Sequence, residues 1–158
     1  MIRISSGQVF ESREKISQLL GGDTQKGIAK SARYRKLILL FTNSEMLYID
    51  HFYPRGSHDN CLFTGIGRLG NQDAPDTNPM YDLNIAVMGH ISTGRRLLLF
   101  EKQGESYCFR GEYSLKETHQ NIQPDEEGTM RRVFVFHIIR KRDVCEIEDE
   151  IEEAGLVR

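Results

Sequence analysis

Residues 130–141, MRRVFVFHIIRK, set Val133, Val135 and Ile139 in alternation with Phe134, Phe136 and Ile138. A strand that is apolar on both faces has no side to give to water, so it must be covered twice. This stretch therefore commits the chain to a closed or strongly curved sheet. The remaining apolar runs fit around such a strand. YRKLILLFT (34–42) and MLYIDHF (46–52) flank Asn43-Ser44 and predict a hairpin, and a short strand ends at Leu62-Phe63. GRRLLLFEK (94–102) and SYCFRGEYSL (106–115) are bounded by turn formers and predict two more strands.

Two segments carry helical spacing instead. FESREKISQLL (10–20) places Phe10, Ile16, Leu19 and Leu20 on one side and stops at Gly21-Gly22, and PMYDLNIAVMGH (79–90) groups Leu83, Val87 and Met88. The C-terminal VCEIEDEI spaces Val144, Ile147 and Ile151 like a third helix docking one edge. The expected class is α+β: a curved β-barrel with flanking helices, one domain over 1–143, then an acidic helix or linker over 144–158.

Gly65-Ile-Gly-Arg-Leu-Gly70 has the letters of a dinucleotide-binding loop. That loop must open a helix whose N-terminal N–H groups meet the pyrophosphate. Here NQDAPDTNP follows, with two prolines and several turn formers, so no helix begins there and no cofactor is expected. Close glycines also let backbone approach a flat or anionic group. Arg68 sits among them as a phosphate contact, while Tyr48, Phe52, Tyr53 and Phe63 with Asp50 and Asp59 converge on the same sheet end. Aromatic faces stack on a base, and a carboxylate accepts from an exocyclic amine such as cytosine N4. The competing reading makes these aromatics core and the glycines a plain turn.

The order and spacing of GGDTQKGIAKS, LFTGIGRLGNQ, DLNIAV, GRRLLLFEK, YCFRGEYSL and RRVFVFHIIRKRD resemble the SRA (SET and RING associated, or YDG) domain family. The likeness is closest to prokaryotic SRA-like modules found with HNH nucleases in modification-dependent restriction enzymes. It implies a PUA-like barrel that extrudes a modified cytosine, 5-methyl or 5-hydroxymethyl, from duplex DNA. On that resemblance Phe63 and Tyr48 stack on the base, Thr64, Gly65 and Gly67 line the pocket, and Asp50 or Asp59 reads the cytosine edge. Asn84 takes a mainly structural position in the following helix. Arg68, Asn71 and Gln72 fall on a finger loop that enters the vacated duplex. The Tyr-Asp-Gly that names the family stands here as Phe109-Arg110-Gly111.

Charge supports a polyanionic partner only once it is divided. The chain has 23 acids and 21 bases, but residues 146–158 hold six acids and one arginine, which leaves 17 acids and 20 bases before them. Arg131 and Arg132, with Arg140, Lys141 and Arg142, form basic strand ends suited to phosphate or to a solvated face. No apolar run spans a bilayer, MIRISSGQVF lacks the order of a signal peptide, and three scattered cysteines suit a reducing interior, so a cytoplasmic setting is expected. His51, His58, Asp50 and Asp59 lack metal-ligand spacing, and no metal or catalytic residue is expected. Two other readings stay open: a nuclease or nuclease subunit acting on modified DNA, and a PUA-like RNA- or protein-binding module. A nuclease domain, fused or separate, and a homo-oligomer are compatible with the sequence.

Overall fold

The computed structural model describes residues 1–43 and 50–149. In chain order the elements are β1 (Ile2–Ser5), β2 (Val9–Phe10), α1 (Arg13–Leu20), β3 (Ile28–Lys30), β4 (Leu37–Thr42), β5 (His51–Tyr53), β6 (Asn60–Thr64), α2 (Tyr81–Met88), β7 (Arg96–Gln103), β8 (Ser106–Pro124), β9 (Met130–Arg142) and β10 (Val144–Ile147). The main sheet runs β3-β4-β7-β8-β9-β6-β5, with β2 paired to β8. Among the described residues β3 and β5 end the sheet unpaired with each other, so the expected barrel is a curved sheet left open.

The sheet separates two cores by strict alternation. Leu37, Leu39 and Phe41 of β4 and Leu98 and Phe100 of β7 face one side, where Ile16 and Leu20 of α1 cover them. Ile38, Leu40, Leu97 and Leu99 face the other, against Phe63, Phe134, Phe136 and Val87 of α2. Period-2 side chains explain the division, and burial of all six β4 residues follows from it. Residues Val133 to Phe136 of β9 are likewise buried, as the two-faced apolar pattern requires. Bulges in the β8–β9 ladder, at Lys141 on β9 opposite Glu112/Tyr113 and at Lys116 on β8, add to the sheet's bend and twist.

The hairpin expected across Asn43-Ser44 falls largely on residues 44–49, outside the described residues; among the described ones β4 pairs antiparallel with β3 and parallel with β7, and β5 pairs with β6. A strand buried on both faces takes a central place, and β3 and β7 supply both its edges. Residues 144–147 form a strand, not the start of a helix. Cys145 and Ile147 point inward at period 2 and pair with Ile4 and Ile2 of β1, a match the helical spacing of Val144 and Ile147 obscured. Residues 150–158, including Ile151, lie outside the described residues. No helix among the described residues is long and apolar enough to cross a membrane.

Candidate nucleic-acid interface

The chain leaves β6 at Thr64 and enters the glycine loop, which three buried carboxamides hold in place. Gln72 donates through Nε2 to the Gly65 carbonyl at 2.6 Å and accepts the Phe134 N–H at 2.9 Å. Asn84 of α2 accepts the Ile66 N–H and donates to the Ile66 carbonyl, both at 2.8 Å. Asn78 donates to the carbonyls of Ile66 and Gln72 at 3.1 and 3.0 Å. A Cβ on Gly65 would meet Asn84 Oδ1 at 2.8 Å, and one on Gly67, whose φ is +140°, would meet Asn78 Oδ1 at 2.7 Å. These glycines therefore make room for the chain's own amides. The structural role expected of Asn84 is visible here, and Gln72, fully buried, belongs to the loop's support.

Beside this loop lies a cavity of about 550 Å³, open to solvent and lined by Arg13, Lys26, Phe41, Thr42, Asp50, Ile66, Arg68, Met80, Lys102 and Tyr107 among others. Asp50 is 9% exposed. Its Oδ1 accepts the Thr64 N–H at 2.7 Å and its Oδ2 accepts the Thr42 hydroxyl at 2.7 Å. Burial pushes the carboxyl up to about 6, against the hydrogen bonds from Thr64 and Thr42, which pull it down. An acid so placed changes charge near neutral pH and keeps lone pairs for a further donor.

The aromatic wall differs from the expected one. Phe63 is 1% exposed, packed with Phe134 and Phe136 in the core, and is not among the residues lining the cavity. Tyr48 lies outside the described residues. Phe41 and Tyr107 line the cavity instead, edge to face at 5.8 Å. Phe41 stacks on Phe100 at 5.4 Å and carries the Arg13 guanidinium 3.4 Å above its ring. At that height the guanidinium must lie nearly parallel to the ring, because a perpendicular one would drive a nitrogen into it. Arg13 also donates through Nη2 to the carbonyls of Asp23 and Lys26 at 2.7 and 2.8 Å, tying the 23–26 loop to the cavity.

Of the cations expected at phosphate, Arg68 lines the cavity and is 2.8 Å from Glu126. Arg132 forms a two-nitrogen pair with Asp73 at 3.0 and 3.2 Å, and its backbone N–H is taken by Asn71 Oδ1 at 2.8 Å. Arg131 is buried and donates to the carbonyls of Gly67 and Gly70 at 2.8 and 2.9 Å, so it braces the loop from beneath. Asp59 is away from the cavity lining, 2.6 Å from Arg140, whose hydrogen bond holds its carboxyl below the usual range.

The sequence model of the family described as "ScoMcrA-like, SRA domain" matches residues 6–149. The chain belongs to this family. Among solved structures, the type IV phosphorothioation-dependent restriction endonuclease ScoMcrA superposes with a TM-score of 0.69 at 21% identity, covering 88% of this chain and 28% of that one. The sulfur-binding and SRA domains of ScoMcrA, complexed with phosphorothioated DNA, give 0.68 at 19%, covering 97% and 45%. The SRA domain of SUVH5 in complex with hemimethylated CG DNA gives 0.63 at 19%, covering 92% and 94%. Comparison with curated proteins finds no match. The likeness fixes the SRA fold, and the chain spans well under two thirds of the ScoMcrA chains.

In this SRA domain sequence reasoning missed Phe41, Tyr107, Arg13, Lys26 and Lys102. Phe41 ends an apolar run and looks like core, which it half is. Arg13 did carry a signal. It is the first residue of α1, where a cation opposes the helix dipole, so it needs another reason to be there.

Proposed function

We propose that this SRA domain reads a modified base, a cytosine bearing a 5-methyl or 5-hydroxymethyl group, extruded from duplex DNA into the cavity beside the glycine loop. The observation that carries the reading is Asp50. It is a buried carboxylate held by Thr42 and Thr64 within a cavity that also presents Arg13, Lys26, Arg68 and Lys102. A carboxylate accepts from the cytosine amine, and four cations meet the phosphates on either side of an extruded nucleotide. Extrusion costs a few kcal/mol, a stacking contact returns about 1–3 kcal/mol, and phosphate contacts supply net affinity. Tyr107, and Tyr48 from its sequence position, are the candidates for that stacking. Relatives crystallised with methylated, hydroxymethylated and phosphorothioated DNA support the ligand class. The longer ScoMcrA chain supports a place as the reading part of a restriction system, with cleavage by another domain or subunit.

Extrusion is tested with 2-aminopurine placed next to a 5-methylcytosine in a duplex. Binding is expected to raise its emission as the neighbouring base leaves the stack, and Asp50→Ala to lose most of that rise while retaining duplex affinity at low salt. Tight binding with unchanged emission would overturn the extrusion step.

A further inference from the structure

Away from the cavity, the paired strands β8 and β9 bring two histidines and a glutamate together. Glu117 stands directly opposite His137 across the ladder, because the bulge at Leu115/Glu117 inserts Lys116 as an extra residue on β8. His119 follows Glu117 by two residues and so shares its face of the sheet. One ligand atom from each of the three side chains lies within 4.8 Å of the other two, and His119 Nε2 is 3.1 Å from Glu117 Oε2.

We propose that Glu117, His119 and His137 form a binding site for a divalent transition metal of the zinc class. Two imidazoles and one carboxylate are a nitrogen–oxygen set that suits zinc, with a fourth position left for water. His137 is held as a ligand should be: its Nε2 lies 3.0 Å from Asn60 Oδ1 and 2.6 Å from the Tyr53 hydroxyl. In the tautomer whose Nε2 donates to the Asn60 oxygen, the lone pair stands on Nδ1, and such an outer contact is the kind that orients metal-bound imidazoles. An exposed Glu117–His119 contact alone contributes little to stability, so the convergence of three donors on a bulged register needs another explanation.

The site has a structural consequence. The same two strands end in the 125–129 turn, where Asp125 Oδ2 accepts the Gly70 N–H at 3.3 Å and Glu126 pairs with Arg68. A metal pinning β8 to β9 would stiffen the arm that holds the glycine loop. The metal site is independent of which base, or whether any base, enters the cavity.

The test uses the full chain freed of metal by chelation and then titrated with zinc chloride against a chromophoric chelator, with thermal unfolding followed in parallel. One zinc per chain is expected, with a midpoint several degrees higher at about 100 times the dissociation constant. His119→Ala and Glu117→Gln, both at exposed positions that leave the core untouched, should each weaken zinc binding about 10-fold or more. Cobalt in place of zinc should show the absorption of a low-coordinate nitrogen–oxygen site, lost in His119→Ala. Absence of stoichiometric binding, or binding that both substitutions leave unchanged, would overturn the site.

Discussion

Asp50 and Thr64 meet at the cavity wall: the carboxylate of one accepts the backbone N–H of the other at 2.7 Å. The contact joins two segments, since Thr64 closes β6 and Asp50 precedes β5. It also fixes where the free lone pairs of the carboxylate are available to a ligand. The cavity's chemistry depends on whether that carboxyl is charged.

Base reading should therefore follow pH. With Asp50 pushed up to about 6, affinity for a modified cytosine should rise between about pH 5 and 7 as the acceptor ionises. Asp50→Asn should flatten this profile. Titrating anisotropy of a labelled duplex at constant ionic strength checks both.

Stability should move in the opposite direction for this one group. A folded pKa above the ordinary 3.8 favours the folded state in acid, fully below that value, and the advantage is lost as pH rises through about 6. The span corresponds to roughly 3 kcal/mol as an upper bound. The difference in urea unfolding free energy between wild type and Asp50→Asn should vary across this window and level off above it.

Glycine substitutions should separate the loop's support from its tip. Gly67→Ala places a Cβ against Asn78 at a positive φ and should cost about 2–3 kcal/mol. Gly70→Ala also has positive φ but meets nothing within 4 Å, and should cost about 1–2 kcal/mol. Chemical denaturation of the two variants against wild type gives the ranking.

Arg68 is paired with Glu126, and both side chains are largely exposed, so the pair contributes little to folding. Glu126→Gln should leave stability within about 0.5 kcal/mol and strengthen duplex binding at low salt. The slope of log affinity against log salt should steepen by up to about one unit. Salt titrations on wild type and variant measure it.

Arg13 should matter to both folding and binding. Arg13→Met keeps a long stem over Phe41 but loses two charged hydrogen bonds to the 23–26 loop, and should cost about 1–3 kcal/mol. Binding at a permissive temperature should weaken as well, because the cavity loses a cation. Unfolding and anisotropy data together separate the two effects.

Much of the fold was legible because alternation is a local signal. Val133 to Phe136 declared a strand covered on both faces, and Ile16 with Leu20, like Leu83 with Val87, declared the helices that cover the cores. Pairing was less legible. Nothing local in LILLFT says that its neighbours are β3 and β7, and in Val144-Cys-Glu-Ile147 the strand period of Cys145 and Ile147 coexists with the helix period of Val144 and Ile147. Of the candidate site, Asp50 and Arg68 line the cavity, whereas Phe63 and Gln72 turned inward. Their letters match a pocket motif, but the direction of a side chain is set by the curvature of the sheet. Arg13, Phe41 and Tyr107 come from three elements distant in sequence and meet only once the chain folds.

Selective recognition of a modified base is what separates base reading from plain phosphate binding. Duplexes identical except for one cytosine, unmodified, 5-methylated, 5-hydroxymethylated or glucosylated, with an N6-methyladenine control, can be competed against one labelled probe at two salt concentrations. One or more of the modified-cytosine duplexes should bind about 10-fold or more tightly than the unmodified one, with the ratio preserved as salt weakens all of them. Equal affinity for every duplex would contradict it.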